Sequence, residues 1–489
     1  MHFRSVFYVL GNLLLVLAVA LVVPLVAALV LDSRIPLERY EILGFFLAIA
    51  TALILGMTLR TLFETGLSQL GNREGAAIVT LTWITFSLIG CLPLVVSGAT
   101  SFTDAYFETM SGFTTTGASI LPKVEVLPHG LMLWRCQTQW MGGMGIVVLS
   151  VAILPILGIG GYRMFKAEVP GGSTFERNAP RIKDTAKVLW IMYLAMTAIE
   201  TALLMLGGMS FFDAVCHTFT TMSTGGFSTS TASLAGWPSP LVQWVVITFM
   251  FLAGANFSIY QQLISGPRRK ALHNLELKTY ALINAGVIAV VFGVLRWSGA
   301  VTGGVEHLLR TAAFQVVSIG TTTGFATEDF ERWPDVLRLL LLLMMFVGGC
   351  TGSTGGGMKV ARLIIFFKAV VAELRKTINP RAVIVVRVGE RPLEREVVTN
   401  VMGFFVMYVG IYTLVTLGLA FLGLDLMSAT SAAAANLGNI GPGLGTVGPA
   451  ANYANVPTAG KWILILSQLL GRLELYSVMV LLLRRTWVK

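Results

Sequence analysis

The sequence predicts an all-α polytopic membrane protein with ten spans and four re-entrant short helices. Three observations carry this reading. The composition is too apolar for a soluble core, ten runs are long enough to cross a bilayer, and four short segments ending in Thr/Gly or Asn/Gly lie between consecutive runs.

The chain has 489 residues, of which 55% are hydrophobic and only 12% charged, and its mean hydropathy is +0.77. A hydrocarbon layer about 30 Å thick takes about 20 helical residues to cross. Apolar runs of that order lie near 6–31, 40–63, 75–97, 129–158, 186–208, 240–264, 277–297, 335–372, 397–423 and 459–483. They are long and rich in Leu, Val, Ala and Gly. The alternating segments of about ten residues that build outer-membrane barrels are absent. The first run, Val6 to Leu31, exceeds a signal-peptide core of about 7–15 residues and has no clear cleavage site, so it is read as retained.

The formal charge of +10 does not indicate nucleic acid, because the basic residues sit in short loops rather than in one stripe. They fit orientation instead. With a cytoplasmic N-terminus, the cytoplasmic segments are 162–187 (Arg163, Lys166, Arg177, Arg181, Lys183, Lys187), 266–278 (Arg268, Arg269, Lys270, Lys278) and 373–396 (Arg375, Lys376, Arg381, Arg387, Arg391, Arg395). The tail, with Arg484, Arg485 and Lys489, is cytoplasmic too. The opposite loops are acidic, as at Glu328, Asp329 and Glu331, or uncharged, as between Pro442 and Gly460. Cys91, Cys136, Cys216 and Cys350 have neither CxxC spacing nor a paired framework, so neither disulfide nor zinc is expected.

Function is expected in the four inserted segments. After the third run comes Ser101 to Ser119, containing Asp104 and Thr114-Thr115-Thr116-Gly117; after the fifth comes Ser210 to Ser228, containing Asp213 and Thr224-Gly225-Gly226. Aligned on Asp104 and Asp213, the glycines coincide. Each segment reads as an N-capping Asp, about three helical turns and a break. A third copy runs from Gly304 to Thr321-Thr322-Thr323-Gly324, and a fourth from Asp425 to Asn439-Ile440-Gly441. Segments of about 12 to 16 residues are too short to cross, so each enters and returns on one side, where protein or water satisfies its backbone.

Four re-entrant loops imply one central path for a cation. A dehydrated cation needs oxygens in place of its water, and backbone carbonyls supply them. Glycine reaches the positive φ that aligns successive carbonyls, and threonine adds a hydroxyl without a charge. The C-terminal ends of four short helices, roughly half a negative charge each before screening, favour a cation further. One Thr-Thr-Gly alone reads as a turn; four at corresponding positions do not.

With these repeats the chain resembles the Trk/Ktr/HKT superfamily of cation transporters, most closely its bacterial TrkH and TrkG type. Gln139-Trp140-Met141-Gly142, the Gly348 to Lys359 stretch and Gly471-Arg472-Leu473-Glu474 carry the likeness further. The resemblance implies two leading helices plus four pseudo-fourfold, potassium-channel-like units of outer helix, pore helix, filter and inner helix. The corresponding divisions are 1–74 for the leading pair, then 75–161, 162–265, 266–372 and 373–489 for the four units, the second and fourth with a cytoplasmic loop. It places the filter glycines at Gly117, Gly226, Gly324 and Gly441, with Thr115, Thr116, Thr224, Gly225, Thr322, Thr323, Asn439 and Ile440 beside them as the potassium-binding segments. The resemblance further implies that glycine rather than serine at 117 favours potassium over sodium. The fourth segment departs from the Thr-rich pattern, which implies looser exclusion of sodium.

Two features below the filter are candidates for control. Gly348, Gly349, Gly352, Gly355, Gly356 and Gly357 interrupt the eighth run, and each helical glycine costs about 1 kcal/mol relative to alanine, so a regular helix is not expected there. A P-loop needs Gly-Lys-Ser/Thr and does not fit; close helix packing through small residues stays open. Arg472 lies in the last run, where a central arginine costs roughly 2.5 to 3.5 kcal/mol. It either pairs with a carboxylate or the loop carbonyls, or acts on the ion. The resemblance implies that the glycine loop blocks the path and that Arg472 stands under the filter as a barrier. Lys359 either does the same or snorkels to the surface.

Arg135 and Glu200 are expected to pair with each other or with nearby polar groups. His217 is expected to be packed or to face the mouth rather than bind a metal. No nucleophile and base constellation is visible, so no enzyme is expected, and no cofactor beyond transported potassium. The expected function is potassium uptake across a bacterial inner membrane by a multi-pass protein with both termini cytoplasmic. The alternatives are a channel that does not distinguish sodium from potassium, or a proton- or sodium-coupled symporter. The resemblance further implies a homodimer in the bilayer with a cytoplasmic TrkA-type nucleotide-binding ring.

Overall fold

The computed structural model describes residues 2–32, 36–63, 71–152, 179–266, 273–382, 384–389 and 391–487, and it is helical almost throughout. Of the basic residues expected on the cytoplasmic side, Arg163, Lys166, Arg177, Arg268, Arg269, Lys270 and Lys489 lie outside the described residues, as does the 161/162 boundary.

The chain opens with α1 (Phe3–Ala20) and α2 (Val22–Leu31). Pro24 has no N–H to donate to Ala20, so the ladder breaks at Leu21. Helix α3 (Pro36–Leu62) packs back on α1 through Gly11 and Gly56, and a Cβ on Gly11 would lie 2.8 Å from the Gly56 carbonyl oxygen. In lipid the hydrophobic effect gives little between helices, so such close backbone approach holds them.

Next come α4 (Asn72–Gly90), α5 (Leu92–Val96), the short α6 (Phe102–Phe113) and α7 (His129–Ala152). They are followed by α8 (Ala179–Leu206), short α9 (Phe211–Met222), α10 (Pro240–Ala253) and α11 (Phe257–Ser265). The third set is α12 (Leu275–Ser298), short α13 (Val305–Gly320), α14 (Asp335–Met344) and α15 (Val360–Ile378). A small hairpin, β1 (Arg387–Val388) with β2 (Arg391–Pro392), leads to α16 (Arg395–Phe421), short α17 (Leu426–Leu437), α18 (Thr458–Arg472), α19 (Tyr476–Leu482) and α20 (Arg484–Trp487).

Among the described residues, six helices are long and apolar enough to cross a membrane, or eight if each bent pair is one span. The bent pairs are α10 with α11, at 95°, and α18 with α19, at 117°. Of the other two runs, α7 leads into residues outside the description, and 335–372 is divided between α14 and α15 by the glycine-rich stretch. Long helices turn apolar side chains outward, as at Phe46, Ile199, Val290 and Val406, whereas the inner parts of α6, α13 and α17 are buried. The apolar residues thus face both ways, as lipid requires.

Asp104 and Asp213 are not the N-caps that the sequence suggested. Ser101 and Ser210 are, their Oγ atoms accepting from the N–H of Asp104 at 3.3 Å and of Asp213 at 3.1 Å. The acids stand in the first turn, where a carboxylate still favours the helix dipole. Asp425 does cap α17, accepting from Ser428 N at 3.0 Å, and Gly304 precedes α13 without a side-chain cap.

Candidate functional site

Each short helix ends in a loop of the same backbone. Thr115, Thr224, Thr322 and Asn439 have φ of 50°, 53°, 62° and 54°, and two residues on Gly117, Gly226, Gly324 and Gly441 have φ of 79°, 77°, 82° and 100°. The intervening Thr116, Gly225, Thr323 and Ile440 donate N–H to the carbonyls of Ser111, Thr220, Ser318 and Ala435, all at 2.8 Å. A left-handed β-branched residue costs of order 1–3 kcal/mol and persists only where its surroundings hold it. Three threonines bear that cost at matching positions.

The four loops meet in a ring. A Cβ on Gly117 would collide with the carbonyl oxygen of Gly225, one on Gly226 with that of Thr323, and one on Gly324 with that of Ile440; one on Gly441 would lie 2.8 Å from that of Thr116. Contact therefore passes from first to second, third, fourth and back to first. The glycines are required both by φ and by the neighbouring carbonyl.

Side chains brace the ring from behind. Thr114 and Thr116 share a hydroxyl contact at 2.8 Å, as do Thr321 and Thr323. In the fourth loop, Asn439 donates to Thr116 Oγ1 and to the Gln468 carbonyl, both at 2.9 Å, and Tyr453 donates to the Gly441 carbonyl at 2.8 Å. The departure of that loop in sequence leaves its backbone unchanged.

The glycine-rich stretch is a folded loop packed against this ring. Val347 and Met358 pair across its base, and Gly348 N donates to Met358 O at 2.9 Å. Gly356 N donates to Thr322 Oγ1 at 2.6 Å, and Thr354 Oγ1 to the carbonyls of Met222 and Ala253 at 3.1 and 3.2 Å. A Cβ on Gly348 would strike Gly356 O, and one on Gly356 would strike Gly438 O. The glycines therefore pack a folded loop, not a helix pair.

Arg472, fully enclosed at the end of α18, reaches this loop. Nη1 donates to Thr354 O at 2.8 Å and Nη2 to Gly142 O at 3.2 Å. Lys359 is also buried and donates to Gly355 O, so it does not snorkel. Arg362 pairs with Glu474 at 2.5 Å and lies 4.2 Å over the Phe404 ring. Glu276 Oε1 accepts from Thr351 N at 2.6 Å. Three cations and two carboxylates thus crowd beneath the ring.

A profile of the TrkH family, described as a cation transport protein, matches residues 42–486. The chain belongs to the TrkH family. Over 490 residues it is 38% identical to the Trk system potassium uptake protein TrkH of Salmonella typhimurium, covering all of both chains. It is 34% identical to the TrkG protein of Escherichia coli K12, covering 98% of each. The crystal structure of the potassium transporter TrkH from Vibrio parahaemolyticus superposes with a TM-score of 0.90 at 36% identity, covering all of both chains. TrkH-family membership makes the chain a transport protein of a multi-pass helical kind rather than an enzyme.

Other polar residues around the ring take partners that the sequence left open. Arg135 pairs not with Glu200 but with Glu108, at 2.7 Å, because Glu108 on α6 lies directly across from α7; its guanidinium also covers Phe227 at 4.2 Å. Glu108 further accepts from Ser119 Oγ and Ile120 N, both at 2.9 Å, fixing the chain that leaves the first loop. His217 is buried and held by Asp213 O at 2.8 Å and Ser228 Oγ at 2.9 Å, and no metal-type cluster occurs among the described residues. Beyond the ring, Glu125 accepts from Thr231 N at 2.7 Å and Oγ1 at 2.5 Å. Slight burial opposes its charge, but these bonds outweigh that and keep its carboxyl below the usual 4.5. A polar amide in an apolar run, Gln139, is the sequence signal for another brace, donating to Gly225 O at 2.7 Å.

Proposed function

We propose that this chain takes up potassium across a bacterial inner membrane through a single central pore lined by the four loops, with the cytoplasm receiving the ion. The closed ring of glycine and carbonyl contacts among the four loops carries the reading. Such a ring offers carbonyl oxygens from four sides to a cation stripped of water. The names of the relatives, potassium uptake proteins, point the same way. A membrane potential helps the entering ion by about 2.3 kcal/mol per charge per 100 mV.

In this reading ten spans form two leading helices and four units divided as 1–74, 75–161, 162–265, 266–372 and 373–489. Thr115, Thr116, Gly117, Thr224, Gly225, Gly226, Thr322, Thr323, Gly324, Asn439, Ile440 and Gly441 are the filter. The loop 348–357 with Lys359 and Arg472 is the gate. Its contacts with Thr322, Met222, Gly142 and Gly438 support an obstruction beneath the filter, and the arginine adds a repelling charge. The termini are cytoplasmic, and a homodimer carries a TrkA-type ring on its basic loops, where Arg375, Lys376 and Arg381 are exposed.

The test is rubidium, potassium and sodium flux into vesicles holding the purified protein, with Gly117→Ser as the probe. Channel-like flux that prefers potassium, with the preference reduced by the substitution, is expected. Flux at a carrier's turnover that stops when a proton gradient is removed would support a coupled symporter, and an unchanged preference in Gly117→Ser would place the filter elsewhere. A fourth loop lacking threonine favours incomplete rejection of sodium, which the same measurement reads directly. Adding the nucleotide-binding partner and nucleotide should change the rate; an unchanged rate would count against the ring.

A further inference from the structure

We propose that Gln139 is a positioning residue for the ion path, its amide standing where the second loop lacks a side chain at Gly225. The inference rests on the pore reading above. Corresponding positions in the four loops are Thr116, Gly225, Thr323 and Ile440, and only the second is glycine. Backbone geometry does not require this, because Gly225 is not among the residues of positive φ. Space does. A Cβ on Gly225 would lie 2.5 Å from Gln139 Oε1 and 2.8 Å from its Nε2.

Gln139 comes from α7, in the unit before, and is completely buried. Its Nε2 donates to Gly225 O at 2.7 Å, and its Oε1 accepts from Phe227 N at 3.0 Å. One amide thus brackets Gly226 on both sides. In the first and third loops the same position is held by its own threonine, bonded to Thr114 or Thr321. Gly225 has no hydroxyl to offer, and Ser223 turns its Oγ to Thr220 O instead. The carbonyl that Gln139 holds is also the one that meets Gly117, so the amide fixes the seam between first and second loops.

Gln468 on α18 supplies the contrast. Gly471 stands over Leu437 O as Gly142 stands over Phe113 O, each three residues after its glutamine. Yet Gln468 directs its amide to Asn436 Oδ1 at 2.8 Å and bonds no loop carbonyl with it. The next loop there has Thr116, whose hydroxyl is already bonded to Thr114 and Asn439. Glycine at 225 and glutamine at 139 are therefore two halves of one substitution for a threonine.

The experiment compares potassium-over-sodium flux ratios in vesicles for wild type, Gln139→Leu, Gly225→Thr and the double variant Gln139→Ala/Gly225→Thr, with Gly117→Ser as the filter control. Leucine keeps the bulk but removes both bonds, so the ratio should fall by at least about tenfold, the size of one buried hydrogen bond alone. Gly225→Thr alone meets the Gln139 amide and should lose flux or preference. The double variant, with room for the hydroxyl, should recover most of the wild-type ratio. If Gln139→Leu folds and keeps the ratio while Gly117→Ser lowers it, or if the double variant is no better than Gly225→Thr, this role for Gln139 is wrong. An unchanged Gly117→Ser ratio would instead overturn the pore reading. Should Gln139→Leu fail to fold, the comparison of Gly225→Thr with the double variant decides alone.

Discussion

Arg472 donates to the carbonyl oxygen of Thr354 at 2.8 Å, tying the end of one long helix to the middle of the glycine-rich loop. A second arm to Gly142 O braces the same guanidinium against α7, the helix after the first of the four loops. The charge of Arg472 and the position of the loop are thus one device. A flexible loop of glycines has many conformations, and a charge-assisted hydrogen bond at its centre selects one.

If the loop and Arg472 form the proposed gate, replacing Arg472 with alanine should release the loop and remove its charge together. One hydrogen bond to a charged group contributes about 1.5–3 kcal/mol, so resting rubidium uptake into vesicles should rise by about tenfold or more. Arg472→Lys keeps the charge but cannot reach two carbonyls with a fixed fork, and should fall between. Equal resting uptake in wild type and Arg472→Ala would mean that something else holds the loop.

The elbow after Arg472 depends on a second pair. Glu474 and Leu475 both have positive φ, 56° and 57°, and the chain turns by 117° between α18 and α19. The bond of Glu474 to Arg362 anchors this turn to α15, which begins where the glycine loop ends. Glu474→Met leaves Arg362 buried without its partner and should cost about 3–5 kcal/mol, whereas Arg362→Met with Glu474→Met should recover most of it. Thermal unfolding in detergent across the double-mutant cycle reads the coupling; additive losses would deny it.

Asn439 separates backbone tolerance from side-chain bracing in the fourth loop. Leucine in the left-handed region costs about 1–2 kcal/mol and loses the bonds to Thr116 and Gln468. Asn439→Leu should therefore lower both melting temperature and ion preference. Asn439→Gly keeps the φ freely and should lower the preference with a smaller loss of stability. A glycine variant with wild-type preference would show that the bridge to Thr116 is dispensable.

Glu125, in the connection between α6 and α7, predicts a pH dependence. Its carboxyl is held below 4.5 by Thr231, so its contribution is complete above the ordinary glutamate value and is lost as pH falls through the lowered one. Melting temperature should decline more steeply for wild type than for Glu125→Gln as pH is taken from about 5 downward. Because Glu125 is exposed, solvent screening keeps the difference small. Parallel curves would remove Glu125 from the clasp between the first two loops.

Much of the site was legible because its parts repeat. Thr-Thr-Gly at Gly117 and Gly324 announced left-handed backbone, and the breaks at Gly226 and Gly441 could be matched to it by spacing. The glycines of 348–357 spoke against a helix, since each would cost stability there. The caps were misread because Ser101 and Asp104 are both good capping types, and only the hydrogen-bond direction separates them. Arg135 was visible as a charge needing a partner, but α6 and α7 had to pack before Glu108, rather than Glu200, became that partner.

By itself the sequence determined an apolar, polytopic, helical chain, four short interrupted segments, and glycines where the break after each needs positive φ. Those properties follow from local φ preference and from transfer energy along the chain, which neighbouring residues set. Tertiary structure alone decided that the four loops close into a ring, that Arg472 grips Thr354, and that Gln139 fits against Gly225. Each of these joins residues distant along the chain, and a hydrogen bond exists only when folding brings its two ends within about 3 Å. The unequal second loop, a mere irregularity in sequence, becomes in space a place already taken.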